Sequence, residues 1–289
     1  MPFIEVHDGT RLYYADWGSG KPLLLIHGWA IGAAMWEYQI PSLMASGIRC
    51  IVYDQRGCGR SEHASQGYQF DTLADDLAML IERLDLNDLT LAGWSLGGGV
   101  VARYLARHGG ARVARSILIS TNTPFLLKGE NNPEGLDRSL IYDPFIAGLL
   151  DDRPQFLTKV APLFFGAPVS PEIIWWGIGL SHTSSAVGML QLFKAVHETD
   201  FRPDMAAFTM PTLLIHGSTD PFQPLEATGE RSHRAIPGSR LEIYKGASHG
   251  LFFTHRERLK VDLLEFIGAD LVAGKTETSR QIALAIPGD

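Results

Sequence analysis

Short apolar runs alternate with longer stretches of helical periodicity along most of the chain. The runs cover residues 23–26, 48–53, 89–92 and 116–119. Between them, apolar residues recur every three or four positions over residues 34–45, 72–84 and 96–107, the spacing of one buried face of a helix. Continuously apolar strands separated by amphipathic helices predict a parallel sheet covered on both faces. Ahead of them, residues 3–7, a turn at Asp8, Gly9 and Thr10, and residues 12–17 predict an antiparallel edge hairpin.

The rhythm breaks near Thr121. From there to Met210 the chain carries scattered prolines, Pro124, Pro133, Pro144, Pro154 and Pro168 among them, with many aromatics and no clear strand. This segment reads as an inserted helical lid. Strand-like runs resume at residues 212–216 and 241–244, and residues 259–267 predict a closing amphipathic helix. The expected division is an α/β core of residues 1–120 and 211–269, a lid of residues 121–210, and a tail of residues 270–289. The tail holds one short apolar piece, residues 282–286, and is expected to be either mobile or docked on a neighbour.

Composition narrows the choice of chemistry. A chain of 289 residues that is 45% apolar can bury one large core, or a core with a modest lid. Its net charge of −7 has no basic cluster to offset it, so the footprint of a nucleic-acid or anionic-membrane binder is missing and a small neutral molecule is the expected partner. Cys50 and Cys58 are the only cysteines, too few for a metal cluster or a disulfide framework, and they fit a reducing cytoplasm. No apolar run reaches spanning length and the first residues lack a secretion pattern, so neither membrane insertion nor export is expected.

The candidate chemistry begins where the run at residues 89–92 meets the helical pattern. Gly93, Trp94, Ser95, Leu96 and Gly97 put a serine on a sharp strand-to-helix turn, the geometry of a nucleophile elbow. Glycines on either side fit the strained backbone and close approach such a turn demands. The same pattern recurs at Gly246, Ala247, Ser248, His249 and Gly250. There it is followed by the solid apolar block Leu251, Phe252 and Phe253 in place of helical spacing, and Ser248 has no acid and base downstream of it.

A serine hydroxyl is a poor nucleophile until a base takes its proton and an acid fixes that base's tautomer. Asp220 lies just past the strand-like run at residues 212–216, at the end of a parallel strand where ligand-binding loops converge. The other acid position, after residue 119, holds Ser120, Thr121 and Asn122 and no carboxylate. His249, in a Gly-flanked loop after the last strand, completes the order serine, acid, histidine. After the strand at residues 23–26, His27, Gly28 and Trp29 form a turn whose backbone can face inward, so the amides of Trp29 and Leu96 are the expected oxyanion donors. His216 and His255 read as structural, and His7, His63, His108 and His233 as solvated. Asp54, Arg56, Gly57, Gly59 and Ser61 read as a tight turn beside the site without chemistry of its own.

These motifs together resemble the α/β-hydrolases over essentially residues 3–267. They are His27-Gly28-Trp29, Asp54-x-Arg56-Gly57-x-Gly59-x-Ser61, Gly93-x-Ser95-x-Gly97-Gly98, His216-Gly217-x-x-Asp220 and His249-Gly250. Within that fold the chain is most similar to the cofactor-free haloperoxidase and aryl esterase branch, through Asp16-Trp17-Gly18-Ser19-Gly20, Ala102-Arg103-Tyr104 and the stretch from Thr199 to Met205. The resemblance implies a serine esterase with perhydrolase side activity, needing neither cofactor nor metal. Members of the branch commonly carry proline after the oxyanion-loop tryptophan and methionine after the nucleophile. This chain has Ala30 and Leu96 there, which speaks against efficient perhydrolysis.

The expected reaction is acyl transfer from a small apolar or aryl ester to Ser95, with Trp29, Phe125, Phe164, Phe165, Trp175 and Trp176 as pocket walls. Lactone hydrolysis would use the same residues. A ligand receptor that retains the triad but works by binding is the alternative of another class. Epoxide hydrolases and haloalkane dehalogenases of this fold use an aspartate where Ser95 stands, which sets those reactions aside. A homo-oligomer stays open.

Overall fold

A computed structural model of the protein describes residues 2–268; the tail expected at residues 270–289 lies outside the described residues. Its strands are β1 (Phe3–Glu5), β2 (Arg11–Trp17), β3 (Lys21–Ile26), β4 (Ile48–Tyr53), β5 (Leu89–Trp94), β6 (Val113–Ile119), β7 (Thr212–Gly217) and β8 (Arg240–Tyr244). They form one sheet in the order β1-β2-β4-β3-β5-β6-β7-β8. The first hairpin is antiparallel and β2 runs antiparallel to β4, while every later pairing is parallel.

The two-faced burial of the sheet follows from side-chain alternation along each strand. On β3, Leu24 and Ile26 enter one core, where they meet α2 (Phe70–Arg83) and α3 (Leu96–His108). Leu23 and Leu25 enter the other, against α1 (Ile40–Ala45), α9 (Leu251–Thr254) and α10 (Arg256–Ile267). Strand β4 divides the same way, with Ile51 and Tyr53 on the first face and Cys50 and Val52 on the second. Both faces being dry, the parallel strands show no polar alternation, which is why they stood out as solid apolar runs.

Between β6 and β7 the chain leaves the sheet and builds α4 (Tyr142–Asp151), α5 (Arg153–Phe165), α6 (Pro171–His182) and α7 (Ala186–Glu198). Side chains set the beginnings of the last three: Asp152, Ser170 and Ser185 accept the amides of Gln155, Ile173 and Gly188, satisfying donors that a helix N-terminus otherwise leaves orphaned. The insertion docks on the core beside β4, where the Ser185 amide donates to the Gly57 carbonyl at 2.9 Å.

Two local expectations change, and one helix was not foreseen. The single helix read over residues 34–45 is a 3-10 turn at Ala33–Trp36 followed by α1, because Pro41 lacks an N–H and fits only the first turn of a helix, which starts α1 at Ile40. The block Leu251, Phe252 and Phe253 is helical after all, since all three side chains are buried and no polar face is needed. The helix α8 (Gly229–Ala235) is too short and too polar to show a period.

Candidate active site

Strand β5 ends at Trp94 and α3 begins at Leu96, leaving Ser95 to make the whole turn at φ 54° and ψ −120°. Positive φ is costly for any residue with a Cβ and persists only where the surroundings enforce it. Here they do. A Cβ at Gly93 would stand 2.2 Å from the Gly97 carbonyl oxygen, and one at Gly97 would stand 2.5 Å from that of Ile26. The two motif glycines therefore let the turn close on itself and on β3.

The loops after β7 and β8 bring two side chains to this turn. His249 Nε2 lies 3.0 Å from Ser95 Oγ, and His249 Nδ1 lies 2.6 Å from Asp220 Oδ2. All three residues are buried. Asp220 Oδ1 accepts the amides of Phe222 and Gln223 at 2.9 and 3.0 Å, so the carboxylate is fixed from its far side. A carboxylate facing Nδ1 can only accept, which puts the ring proton on Nδ1 and leaves Nε2 free to accept from the serine hydroxyl. Burial pushes the Asp220 carboxyl up, but the nearby His249 and its hydrogen bond, together with His216 and the Gln223 amide, hold it below the usual carboxylate value. The ring of His249 is held in place by Trp94, whose indole lies 4.6 Å from it and donates to the His249 carbonyl at 3.1 Å.

Beside the serine, the loop after β3 approaches so closely that a Cβ at Gly28 would meet Trp94 at 2.3 Å and Ser95 Cβ at 3.0 Å. His27 anchors it: the ring donates from Nδ1 to the Gly28 carbonyl at 2.7 Å and accepts the Gln55 amide on Nε2 at 2.9 Å. Burial, partly countered by Asp54, pushes the His27 pKa down, consistent with a neutral ring that serves as a strut. The amides of Trp29 and Leu96 have no protein acceptor among the described residues, and Leu96 opens α3, where the helix dipole adds partial positive charge. Two unspent donors on either side of a serine are what an anion-binding corner requires.

The remaining motif residues are structural. Asp54 accepts the amides of Ala33 and Arg60, and Arg56 forks onto Asp76 through two bonds of 2.7 Å. His216 donates from Nε2 to the Gln223 carbonyl at 2.7 Å and stands 3.9 Å from Asp220. Burial holds its pKa down. Ser248 points away from the turn and donates to the Leu163 carbonyl at 2.7 Å.

Above Ser95 and His249 opens a cavity walled by both core and insertion. Trp29, Phe164, Phe165 and Trp176 line it, as the sequence suggested, together with Ile31, Trp94, Phe145, Leu157, Ile174, Phe222 and Phe252. Apart from Ser95, His249, the indoles and Ser181, the lining is apolar, and no carboxylate, lysine or arginine faces it. Two expected wall residues lie elsewhere. Phe125 sits under the Arg202 guanidinium, 5.4 Å from its ring centre, and Trp175 is 65% exposed because it occupies the outward face of α6 while its neighbour Trp176 faces in. Phe145 and Phe222 were missed. The second lies two residues past Asp220, which is the signal that could have found it; Phe145 carried none, since its position depends on how the insertion packs. Among the described residues, no group of three His, Cys, Asp or Glu side chains is placed to hold a metal ion, and no helix is long and apolar enough to cross a membrane.

A family profile described as the alpha/beta hydrolase fold matches residues 21–144. The chain is 38% identical over 275 residues to a non-heme haloperoxidase of Rhodococcus erythropolis, covering 92% of this chain and 99% of that one. Two solved structures superpose closely. A bromoperoxidase from Bacillus anthracis is 40% identical with a TM-score of 0.87, covering 90% of this chain and 96% of that one. An esterase from Exiguobacterium antarcticum is 34% identical with a TM-score of 0.88, covering 92% and 98%.

Proposed function

The chain belongs to the α/β-hydrolase fold family, among relatives that include non-heme haloperoxidases, and from that premise we propose that it is a serine esterase acting on small apolar or aryl carboxylic esters. The observation that carries this reading is the hydrogen-bonded line Ser95, His249, Asp220 at the floor of an uncharged, aromatic-walled cavity. In the first step Ser95 Oγ attacks the ester carbonyl and His249 Nε2 takes its proton. The carbonyl oxygen becomes an oxyanion and settles between the Trp29 and Leu96 amides. Each backbone donor of this kind contributes roughly 3 to 4 kcal/mol of barrier lowering. His249 then returns the proton to the leaving alkoxide, which departs as alcohol and leaves an acyl group on Ser95. Water, deprotonated by the same nitrogen, releases the acid. Asp220 keeps the ring in the tautomer both steps require.

The apolar lining selects uncharged substrates, because a carboxylate or ammonium brought into the cavity would lose its hydration without gaining a partner. The name of the Exiguobacterium structure, an esterase, agrees with this choice. The experiment is hydrolysis of a p-nitrophenyl acyl series by wild type and Ser95→Ala, with a small lactone panel and added hydrogen peroxide in parallel. Ester turnover that disappears in Ser95→Ala supports the proposal. Turnover that is absent, or that survives the substitution, overturns it, and a preference for the lactones would redirect the substrate class while keeping the residues.

A further inference from the structure

Trp29 flanks the serine with its backbone amide and lines the cavity with its ring, yet its indole N–H is engaged elsewhere. The indole Nε1–H donates to the Met189 carbonyl of α7 at 2.8 Å, and its ring meets Phe193 and Phe145 of the insertion edge-on, at 5.5 and 6.2 Å between centres. Phe145 and Phe193 stack at 4.9 Å, and Phe145 also meets Phe222 of the acid loop. One aromatic plate carried by the insertion thus touches both the oxyanion loop and the loop bearing Asp220. The next residue, Ala30, is fully buried at φ 57°, in the left-handed region, and packs in a small apolar cluster with Leu149, Leu157 and Met189 of the insertion. Backbone held there persists only while its surroundings over-determine it. The chief surroundings in question belong to α4, α5 and α7.

We propose that Trp29 is a positioning residue whose indole N–H, clamped to the Met189 carbonyl, sets the aim of its own backbone amide into the oxyanion corner. The oxyanion corner is then assembled across two parts of the chain: Leu96 supplies a donor fixed by the elbow, and Trp29 supplies one whose direction depends on how the insertion is docked. A shift of α7 relative to the sheet would turn the Trp29 amide first, because Ser95, His249 and Asp220 are tied to the ends of β5, β7 and β8 and to one another, and the insertion holds the histidine loop through α5, by the Leu163 and Phe164 carbonyls. Preorganised donors act through their direction at the moment charge develops, so a loose clamp lowers the chemical step and leaves ground-state binding in the apolar cavity nearly intact. This inference rests on the esterase reading above.

The test is Trp29→Phe, which keeps an aromatic ring against Phe145 and Phe193 and removes the donor. With a p-nitrophenyl ester, kcat is expected to fall about tenfold, part of the roughly 100- to 1,000-fold loss that follows complete removal of an oxyanion donor, while KM stays within about twofold. Benzeneboronic acid, which forms a tetrahedral adduct on a serine and places an oxygen in the same corner, should bind about tenfold more weakly, because it draws on the same donors. A rise in KM at constant kcat would make the Trp29 side chain a wall of the cavity and nothing more, and overturn the proposal. So would kcat and boronate affinity that both stay within twofold of wild type. The benzothienyl isostere of tryptophan at position 29 removes only the N–H and supplies the same comparison if Trp29→Phe fails to fold. Wild type that shows no Ser95-dependent turnover would remove the esterase reading itself, a result distinct from an active enzyme indifferent to the clamp.

Discussion

Replacing Asp220 with asparagine changes one atom in the line from acid to nucleophile and reverses the direction of its hydrogen bonds. Oδ1 receives two backbone amides, from Phe222 and Gln223, and only an acceptor satisfies two N–H groups. The asparagine carbonyl therefore takes that place, and its NH2 group takes the place of Oδ2, 2.6 Å from His249 Nδ1. A donor there obliges Nδ1 to accept and moves the ring proton to Nε2, 3.0 Å from Ser95 Oγ. The hydroxyl then faces a donor and has no lone pair to receive its proton. Loss of the working tautomer lowers kcat by about 10,000-fold, which corresponds to about 5.4 kcal/mol of barrier. KM should stay within about threefold, because the cavity walls are untouched, and the Phe222 and Gln223 bonds survive. Steady-state hydrolysis of a p-nitrophenyl ester, read beside the melting curve of the same preparation, measures both. A folded Asp220→Asn protein with kcat within about tenfold of wild type would refute the tautomer argument, and with it the role of Asp220.

Two further outcomes follow from residues away from the reacting atoms. Ser248→Ala, in the second Gly-x-Ser-x-Gly sequence, should leave kcat for the same ester within about twofold and cost about 1 kcal/mol of stability from the lost bond to the Leu163 carbonyl; loss of ester turnover would mean the wrong motif has been chosen. His197 on α7 is buried with Nδ1 on the Phe193 carbonyl and Nε2 unpartnered, and burial pushes its pKa down from 6.5 to about 4. The unfolded chain takes up that proton at higher pH than the folded one. The contribution is therefore complete above pH 6.5 and is lost as the pH falls toward 4, by about 3 kcal/mol in all. Urea unfolding of wild type and His197→Phe across that range should show the wild type losing that much more, and parallel losses in the two proteins would show that His197 titrates normally.

The alternation of apolar runs and helical stretches was legible because a sheet buried on both faces leaves no polar positions to blur its strands. Residues 48–53 were read as a strand and are β4 without change of boundary, whereas the helix read over residues 34–45 is interrupted ahead of Ile40 so that Pro41 falls in a first turn, and the helicity of Leu251–Thr254 was hidden by burial of its whole apolar block. The side chains brought to one point, Ser95, His249 and Asp220, were legible for a different reason. Each sits at the end of a strand, and in a parallel sheet those ends share one edge. The insertion was harder to read. It was foreseen as a helical lid without the bounds of its helices, and whether Trp175 or its neighbour Trp176 faces the cavity depends on the rotation of α6 against the core, which a nearly uniformly apolar helix does not encode in its own periodicity.

The sequence by itself determined the chain order of serine, acid and histidine and the turn that Gly93 and Gly97 permit, because these are local consequences of backbone space and residue type. Tertiary structure decided which aromatics wall the cavity, that Phe145 reaches both Trp29 and Phe222, and that the Trp29 indole ends on the Met189 carbonyl, 160 residues away in the chain. Those contacts join surfaces of two separately built parts, and the angle at which two apolar surfaces settle is fixed by the fit of all their side chains together, which no single stretch of sequence contains.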